Sequence, residues 1–223
     1  MKPMRILLAL ALGLSVSACA GIDTVSRNTP FDAQPDMMAE HEAILRSIDV
    51  RSFKVTVPET LTVNEANLYY PVADIVWRGE AFGNRHEQVG EMLRESLQSA
   101  VRAHQPGKNP VTVELILGRF HSLSQKTRYS IGGVHSIRFD LVVRDAATGI
   151  MIGAPRTVTA DLRGYGGNTA LEAERHGLTQ RVRITRHLAN VLAGELAEPG
   201  STPRTITQIV ARLESDVATP IAN

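Results

Sequence analysis

Three stretches of alternating side chains limit the folds open to this chain. Apolar residues occupy every second position over residues 111–117 and again over residues 137–143, and a third extended stretch covers residues 150–162. A period of two is typical of half-buried strands. The connections between these stretches are too short for the helical crossover that parallel neighbours need. The sequence therefore predicts an antiparallel meander.

Helical spacing of apolar residues appears on both sides of this meander. It predicts one helix over residues 84–103 and a longer one over residues 169–197, where Thr169 and Glu172 match the spacing of a capping box. An earlier strand precedes Pro58, and an extended piece over residues 69–77 is interrupted by Pro71 and placed at a sheet edge. A last amphipathic segment, residues 206–217, would dock on its own domain or on a partner.

These elements define an expected fold class. We predict an α+β domain with an antiparallel sheet of about four strands and two main helices packed on one face, joined by a C-terminal amphipathic helix. The single cysteine of the 223 residues excludes an intramolecular disulfide, so stability must come from the core. A mature chain of about 205 residues is long enough to bury one sizeable core.

The amino terminus carries a targeting pattern. Lys2 and Arg5 precede an apolar run over residues 6–14, and Ser17 and Ala18 stand directly before Cys19. This pattern resembles the lipobox of bacterial lipoproteins, which implies diacylation of the Cys19 sulfur, cleavage before it and further acylation by chains such as palmitate. An ordinary secretory signal or a short membrane anchor, with Cys19 incidental, is the alternative.

The predicted organisation follows from this signal. Residues 1–18 are a lipoprotein signal peptide, 19–50 a lipidated N-terminus and tether, 51–197 the globular α+β domain, and 198–223 a C-terminal amphipathic segment and tail. Because Lys2 and Arg5 leave with the signal, 24 basic and 23 acidic residues become 22 and 23. This near-neutral balance argues against nucleic acid as a partner and leaves the N-terminal lipid as the contact with the membrane.

The central sequence resembles an uncharacterised family of Gram-negative periplasmic lipoproteins. The residues that carry the resemblance are 70–80, 83–86 and 132–139, and the resemblance covers roughly residues 50–197. It implies an envelope location and no activity. Ala20 follows the expected lipidated cysteine, where inner-membrane retention in some lipoproteins uses aspartate, so we expect the protein at the outer membrane, facing the periplasm.

No pattern of catalytic or metal-binding residues is complete. His86, Glu87 and Glu91 lack the second histidine of a zinc-protease motif, and Glu172 with His176 is read as a surface pair. There is no Gly-x-Ser-x-Gly elbow.

Other candidate features also have structural explanations. Ser130 and Ser136 flank His135 without an evident acid, and the glycines at residues 164–167 are explained by a turn before a helix. We predict no catalytic residues, no metal, no cofactor and no enzyme activity.

One cluster of side chains suggests an interaction surface. Tyr69, Tyr70, Trp77 and Phe82 place four aromatic residues within fourteen positions. Aromatic clusters are enriched at protein interfaces, although a lone tryptophan more commonly fills a core. The four residues are therefore a candidate surface for an envelope protein partner.

The expected role is non-enzymatic: a structural or assembly factor in an envelope complex. The alternative is a carrier or sensor that binds a lipid or small apolar molecule between the uncovered sheet face and the loop over residues 122–133. A concave apolar pocket would favour the carrier, and an exposed apolar patch would favour assembly.

Overall fold

The computed structural model describes residues 29–198. Cys19, the signal peptide and the C-terminal amphipathic segment lie outside the described residues. The elements in chain order are α1 (Thr29–Leu45), β1 (Ile48–Thr56), β2 (Ile75–Val76), α2 (Arg85–Ala103), β3 (Asn109–His121), α3 (Gln125–Arg128), β4 (Gly133–Asp145), β5 (Arg156–Thr159), β6 (Leu162–Gly164), α4 (Gly167–Arg175) and α5 (Gln180–Ala197). Residues 29–37 belong to a separate unit and are described only as the start of α1.

The sheet is mixed, which corrects the prediction of a purely antiparallel one. Within the described chain it has six strands, with β1, β3, β4 and β5 side by side in that order. β3 pairs antiparallel with β4, and β4 with β5, so the meander is confirmed. β1 and the short β2 both pair parallel with β3. The crossover through α2 makes this parallel pairing feasible.

Two of the strands are short extensions of the sheet edges. β2 pairs with Phe120 and His121 at the end of β3, beyond the part of β3 that β1 covers. β6 pairs with residues 133–135 at the start of β4, beyond the part that β5 covers. Residues near the end of β3 and the start of β4 are thus enclosed by two small, separate pieces of chain.

The prediction of a single long helix over residues 169–197 is wrong, because this part of the chain forms two helices, α4 and α5. Gly177, between them, has a φ of +74°, a left-handed conformation that ends a helix. The predicted capping box is also wrong, since α4 begins after Gly166, which has no side-chain cap. The hydroxyl of Thr179 instead accepts a hydrogen bond from the Val182 amide and caps α5.

The core lies on one face of the sheet. In the middle of β3 and β4 alternate side chains face the core, and Val113, Leu115, Ile137 and Phe139 are at most 1% exposed. α2 and α5 pack against each other and contribute to the same hydrophobic cluster. α2 spans the predicted residues, with Asn84 accepting from the Glu87 amide at its start. In residues 29–198 no helix has the length and apolar character needed to cross a membrane.

Candidate functional site

The four aromatic residues singled out by the sequence divide into exposed and buried members. Tyr70 and Phe82 are 80% and 84% exposed, and Tyr69 is 41% exposed. Trp77 is 1% exposed and belongs to the core, so it offers no area to a partner. Val72, which the sequence analysis did not select, is 90% exposed. We refer to Tyr69, Tyr70, Val72 and Phe82 as the apolar surface.

Trp77 holds the segment behind the apolar surface. Its ring meets Phe120 edge-on with centroids 5.8 Å apart, and its Nε1 donates to the Glu80 carboxylate at 2.8 Å. Glu80 also pairs with Arg181 on α5. Gly79 lies against the indole, because a Cβ at that position would be 2.2 Å from Trp77 Cη2. The large buried ring therefore fixes residues 75–80 to the domain.

The loop between β1 and β2 is fixed by hydrogen bonds to its own backbone. The amide and the hydroxyl of Thr62 donate to the Asp74 carboxylate at 2.9 and 2.7 Å. These bonds, the side-chain one first, lower the pKa of Asp74 because they favour its charged form. Asn64 Nδ2 donates to the Val72 carbonyl at 3.1 Å. The loop is thus closed upon itself.

A second set of contacts attaches this loop to the domain. Pro71 is buried, and His121 Nε2 lies 2.7 Å from its carbonyl oxygen. Tyr70 and Val72, on either side of Pro71, point outward. Thr127 Oγ1 donates to the Tyr69 carbonyl at 3.0 Å. The most exposed apolar side chains of the loop therefore stand on a backbone anchored from below.

Charged side chains support the same end of the sheet. The Arg85 side chain is 4% exposed, and its Nε donates to Glu65 at 2.6 Å. The Arg85 guanidinium also lies 5.6 Å from the centroid of the Phe82 ring. Lys126 Nζ lies 4.5 Å from the centroid of the Tyr69 ring. These cation-π contacts orient two members of the apolar surface.

A polar groove adjoins this end of the sheet. It has a volume of about 360 Å³, and its lining includes Arg78, Glu80, Arg128 and Glu174. Arg128 and Glu174 form an ion pair across it. The alternative function placed an apolar ligand beside the loop over residues 122–133. A lining of charged side chains does not suit such a ligand.

A buried polar cluster lies under α4. His135 is 1% exposed, and its Nδ1 lies 3.0 Å from Ser122 Oγ. Gln180 Nε2, at the start of α5, donates to the same hydroxyl at 2.7 Å. The sequence analysis paired His135 with Ser130 and Ser136 and missed Ser122. A register shift between Leu117 and Arg119 moves the buried positions of β3 from odd to even residues, so the alternation over residues 111–117 does not predict that Ser122 is buried.

This cluster is poorly arranged for nucleophilic catalysis. Burial, followed by the positive charges of Arg183 and Arg128, lowers the pKa of His135 to about 3. A histidine with this pKa is a weak proton acceptor at neutral pH. Ser122 is 1% exposed, so its hydroxyl does not face a substrate. The observed hydrogen bonds join His135, Ser122 and Gln180 in a buried polar network that links β3, β4 and α5.

The other residues considered as catalytic or metal-binding candidates have structural contacts. His86 Nε2 lies 3.0 Å from the Leu61 carbonyl. His176 and Glu172 form an exposed pair at 3.0 Å, as predicted for a surface contact. Among residues 29–198 there is no group of three or more metal-ligating His, Cys, Asp or Glu side chains.

The glycine-rich turn before α4 has a packing explanation. A Cβ at Gly166 would be 2.2 Å from the Gly132 backbone nitrogen. A Cβ at Gly132 would in turn be 2.8 Å from the Gly164 carbonyl, and Gly132 has a φ of +71°. Two backbone segments therefore approach each other more closely than side chains allow.

A larger groove lies at the opposite end of the domain from β2. Its volume is about 900 Å³. Its lining combines apolar and small residues with ionisable ones: Met38, Leu45, Gly153, Ala154 and Ala197, and His41, Glu42, Arg46, Arg156 and Glu198. Leu45 Cδ1 would be 3.5 Å from a Cβ at Gly153. This volume is within the range of small-molecule sites.

The chain belongs to DUF6778, a family of unknown function whose sequence pattern matches residues 48–212. The match confirms the expectation of an uncharacterised family, and its first residue is the first residue of β1. No curated protein matches the chain.

Solved structures with a similar arrangement come from several bacteria. A provisionally assigned lipoprotein of Caulobacter crescentus CB15 is 17% identical, with a TM-score of 0.31, over 72% of this chain and 95% of that one. A DUF330 protein of Xanthomonas campestris is 11% identical, with a TM-score of 0.39, over 75% and 88%. A minor lipoprotein of Acinetobacter baumannii is 14% identical, with a TM-score of 0.27, over 66% and 92%.

Proposed function

We propose that this protein is a lipid-anchored lipoprotein of the cell envelope that acts without catalysis, as a structural or assembly factor. Cys19 carries the lipid, and the domain faces the periplasm from the outer membrane. The partner is an envelope protein that docks on the apolar surface. The residues around Cys19 support the proposed location, and the loop between β1 and β2 supports the proposed role.

The observation that carries the role is the exposure of Tyr70 and Val72 on a fixed backbone. They are 80% and 90% exposed, whereas Pro71 between them is buried and hydrogen-bonded to His121. Large apolar side chains on a rigid support bind a partner with little loss of conformational entropy. Scattered exposed apolar residues need no explanation, but a group of them on an anchored loop suggests recognition.

In-cell crosslinking of the full-length lipidated protein tests this role. The crosslinked protein is purified in mild detergent, and the retained proteins are identified by mass spectrometry. We expect one stoichiometric envelope protein with the wild type and its loss in the double variant Tyr70→Ala, Val72→Ala. Ile150 is 68% exposed in the connection between β4 and β5, so Ile150→Ala is the matched control and should retain the partner.

Two outcomes oppose the assembly role. Retention of the same partner by the double variant would show that the apolar surface is not the docking site. If no stoichiometric protein were retained with the crosslinked wild type, the assembly role itself would be wrong. Since all three substituted side chains are exposed, each variant should fold with a stability within about 0.5 kcal/mol of the wild type.

The anchor is tested separately. Metabolic labelling with a palmitate analogue should label the wild type and leave Cys19→Ser unlabelled. Sucrose-gradient fractionation should place the labelled protein with outer-membrane markers. A position with inner-membrane markers would contradict the proposed membrane without affecting the docking result.

The groove of about 900 Å³ favours one other candidate function, a carrier of a small apolar molecule. Met38 and Leu45 provide apolar lining, and Arg156, which is paired with the buried Glu195, is also in the lining. Extraction of the purified protein with organic solvent, followed by mass spectrometry, would detect a co-purified lipid. A stoichiometric lipid, reduced by Leu45→Glu, would favour the carrier over the assembly factor.

A further inference from the structure

A small polar pocket lies between α4, the start of α5 and the buried His135 cluster. Its volume is about 10 Å³, which is the space of one water-sized sphere. Arg128, His135, Tyr165, Gln180 and Arg183 provide its polar lining. Ions as large as phosphate or a carboxylate do not fit in this space.

The side chain of Gln180 has an unsatisfied atom here. Gln180 is 3% exposed, and its Oε1 is buried with no hydrogen-bond partner among the described residues. Its Nε2 donates to Ser122 Oγ at 2.7 Å. The amide oxygen and nitrogen have nearly the same shape and can be exchanged. After exchange the Ser122 hydroxyl donates to the oxygen, and the amide N–H groups become the unsatisfied atoms.

The charge around this amide is positive. The guanidinium of Arg183 stacks 3.5 Å from the centroid of the Tyr165 ring, and its Nη2 donates to the Arg163 carbonyl at 2.7 Å. No carboxylate within residues 29–198 forms a salt bridge with Arg183, whereas Arg128 is paired with Glu174. Burial lowers the pKa of Arg183; the Tyr165 side chain acts in the opposite direction, and the charge of Arg128 lowers the pKa further. A half-buried cation without a counter-charge is thermodynamically unfavourable.

The helix that carries both Gln180 and Arg183 adds to the positive electrostatic potential in the pocket. Gln180 is the first residue of α5, and Arg183 lies three positions later on the same helical face. The amino terminus of an 18-residue helix bears a partial positive charge. The side-chain amide of Gln180, the guanidinium of Arg183 and the amino terminus of α5 therefore lie at the same small pocket.

We propose that this pocket binds a single monovalent anion of halide size, held between the side-chain amide of Gln180 and the guanidinium of Arg183. The anion takes the N–H donors of the exchanged amide and supplies the counter-charge for Arg183. Chloride is the expected occupant because it is monatomic and abundant outside the cell. Binding ties the start of α5 to the end of β3 through Ser122.

Bromide is the probe that tests this site. The wild-type protein is crystallised in sodium bromide, and anomalous diffraction is measured at the bromine edge. We expect an anomalous peak in the pocket, within about 3.5 Å of both the Gln180 amide and the Arg183 guanidinium. Electron density without an anomalous signal would identify a water molecule and would overturn the proposal.

A solution measurement complements the crystal experiment. The Tm of the wild type is compared in chloride and in gluconate of equal ionic strength. At a chloride concentration ten times Kd, we expect a rise of roughly 3–6 °C in chloride. Arg183→Gln should remove the difference between the two salts, and Arg175→Gln, an exposed residue of α4, should retain it. Equal Tm values for the wild type in both salts would contradict the site.

Discussion

His121 Nε2 lies 2.7 Å from the carbonyl oxygen of Pro71, joining the end of β3 to the loop that carries Tyr69, Tyr70 and Val72. Because a carbonyl only accepts, the imidazole must donate from Nε2, which fixes its neutral tautomer. The buried Pro71 has no backbone N–H, so its carbonyl is the only backbone polar group it presents. The orientation of Tyr70 and Val72 thus depends on a histidine fifty residues away in the sequence.

Substitution of His121 should loosen this loop without unfolding the domain. We expect His121→Ala to increase amide hydrogen exchange over residues 61–74, because the buried carbonyl loses its donor. The core strands should exchange as slowly as in the wild type. His121→Gln, whose amide can donate, should restore part of the protection, and His176→Ala is a surface control. Unchanged exchange over residues 61–74 in His121→Ala would show that the bond is not needed for order.

A methyl group at Gly79 should destabilise the domain through Trp77. The added Cβ would stand 2.2 Å from the indole Cη2, so the ring must move within a packed core. Overpacking of this kind typically costs about 1–3 kcal/mol. Gly83→Ala is the control, since its Cβ would meet only the end of the Gln88 side chain at 3.1 Å. Urea denaturation should show a lower midpoint for Gly79→Ala than for Gly83→Ala, and equal midpoints would refute the packing argument.

Stability should fall on acidification because His135 is buried in its neutral form. Its pKa is about 3 in the folded protein and near 6.5 when unfolded, so the unfolded state takes up the proton first as pH falls. The free energy of unfolding should decrease below about pH 6.5, by at most about 1.4 kcal/mol per pH unit for this group. Burial also lowers the pKa of His187, which acts in the same direction.

Urea denaturation between about pH 6.5 and 5.5 separates the effect of the histidines from that of carboxylates, whose ordinary pKa is about 4. His135→Gln should reduce the slope of stability against pH, since glutamine does not titrate and can still bond to Ser122. His176→Gln, at an exposed site, should leave the slope unchanged. Retention of the full slope in His135→Gln would assign the effect to other groups.

The break between α4 and α5 depends on the left-handed conformation of Gly177. Its φ is +74°, and a Cβ there would have nothing within 4 Å, so Gly177→Ala introduces backbone strain without a clash. The expected cost is about 1 kcal/mol. Gly177→Asn should cost less, because asparagine tolerates this region better than alanine. The two thermal unfolding midpoints should therefore rank Asn above Ala, and the reverse order would contradict the strain explanation.

The sequence predicted the elements whose periodicity was strong. β3, β4 and α2 each bury one face regularly, so their type and approximate bounds could be inferred. The direction of β1 could not, because alternation in a strand contains no information about whether its neighbour is parallel. The prediction treated α2 as a cover for the sheet and did not use it as the crossover between β1 and β3. Gly177 was included in one helix because the apolar spacing continues across it.

The cluster of aromatic residues in the sequence identified the region of the candidate docking surface, but it did not predict which side chains are exposed. Trp77 and Tyr70 belong to the same aromatic cluster, yet one is in the core and the other in solvent. The difference depends on the short β2, which turns Ile75 and Val76 inward and has no clear period of its own. Ser122 was missed for a related reason, since its contacts are with His135 on β4 and Gln180 on α5, both later in the chain.

The parallel pairing of β1 with β3 has a mechanical consequence in the proposed anchored state. The lipid would pull on the chain at Ile48, the amino end of β1, while the apolar surface lies near the carboxyl end of β3, roughly 40 Å away by strand length. Tension between membrane and partner would run along the strands. Part of the tension would pass along the backbone of β1 into the loop, and the part that the Pro71–His121 contact transfers to β3 would load the β1–β3 hydrogen bonds together in shear. The domain should therefore resist unfolding when the envelope is deformed.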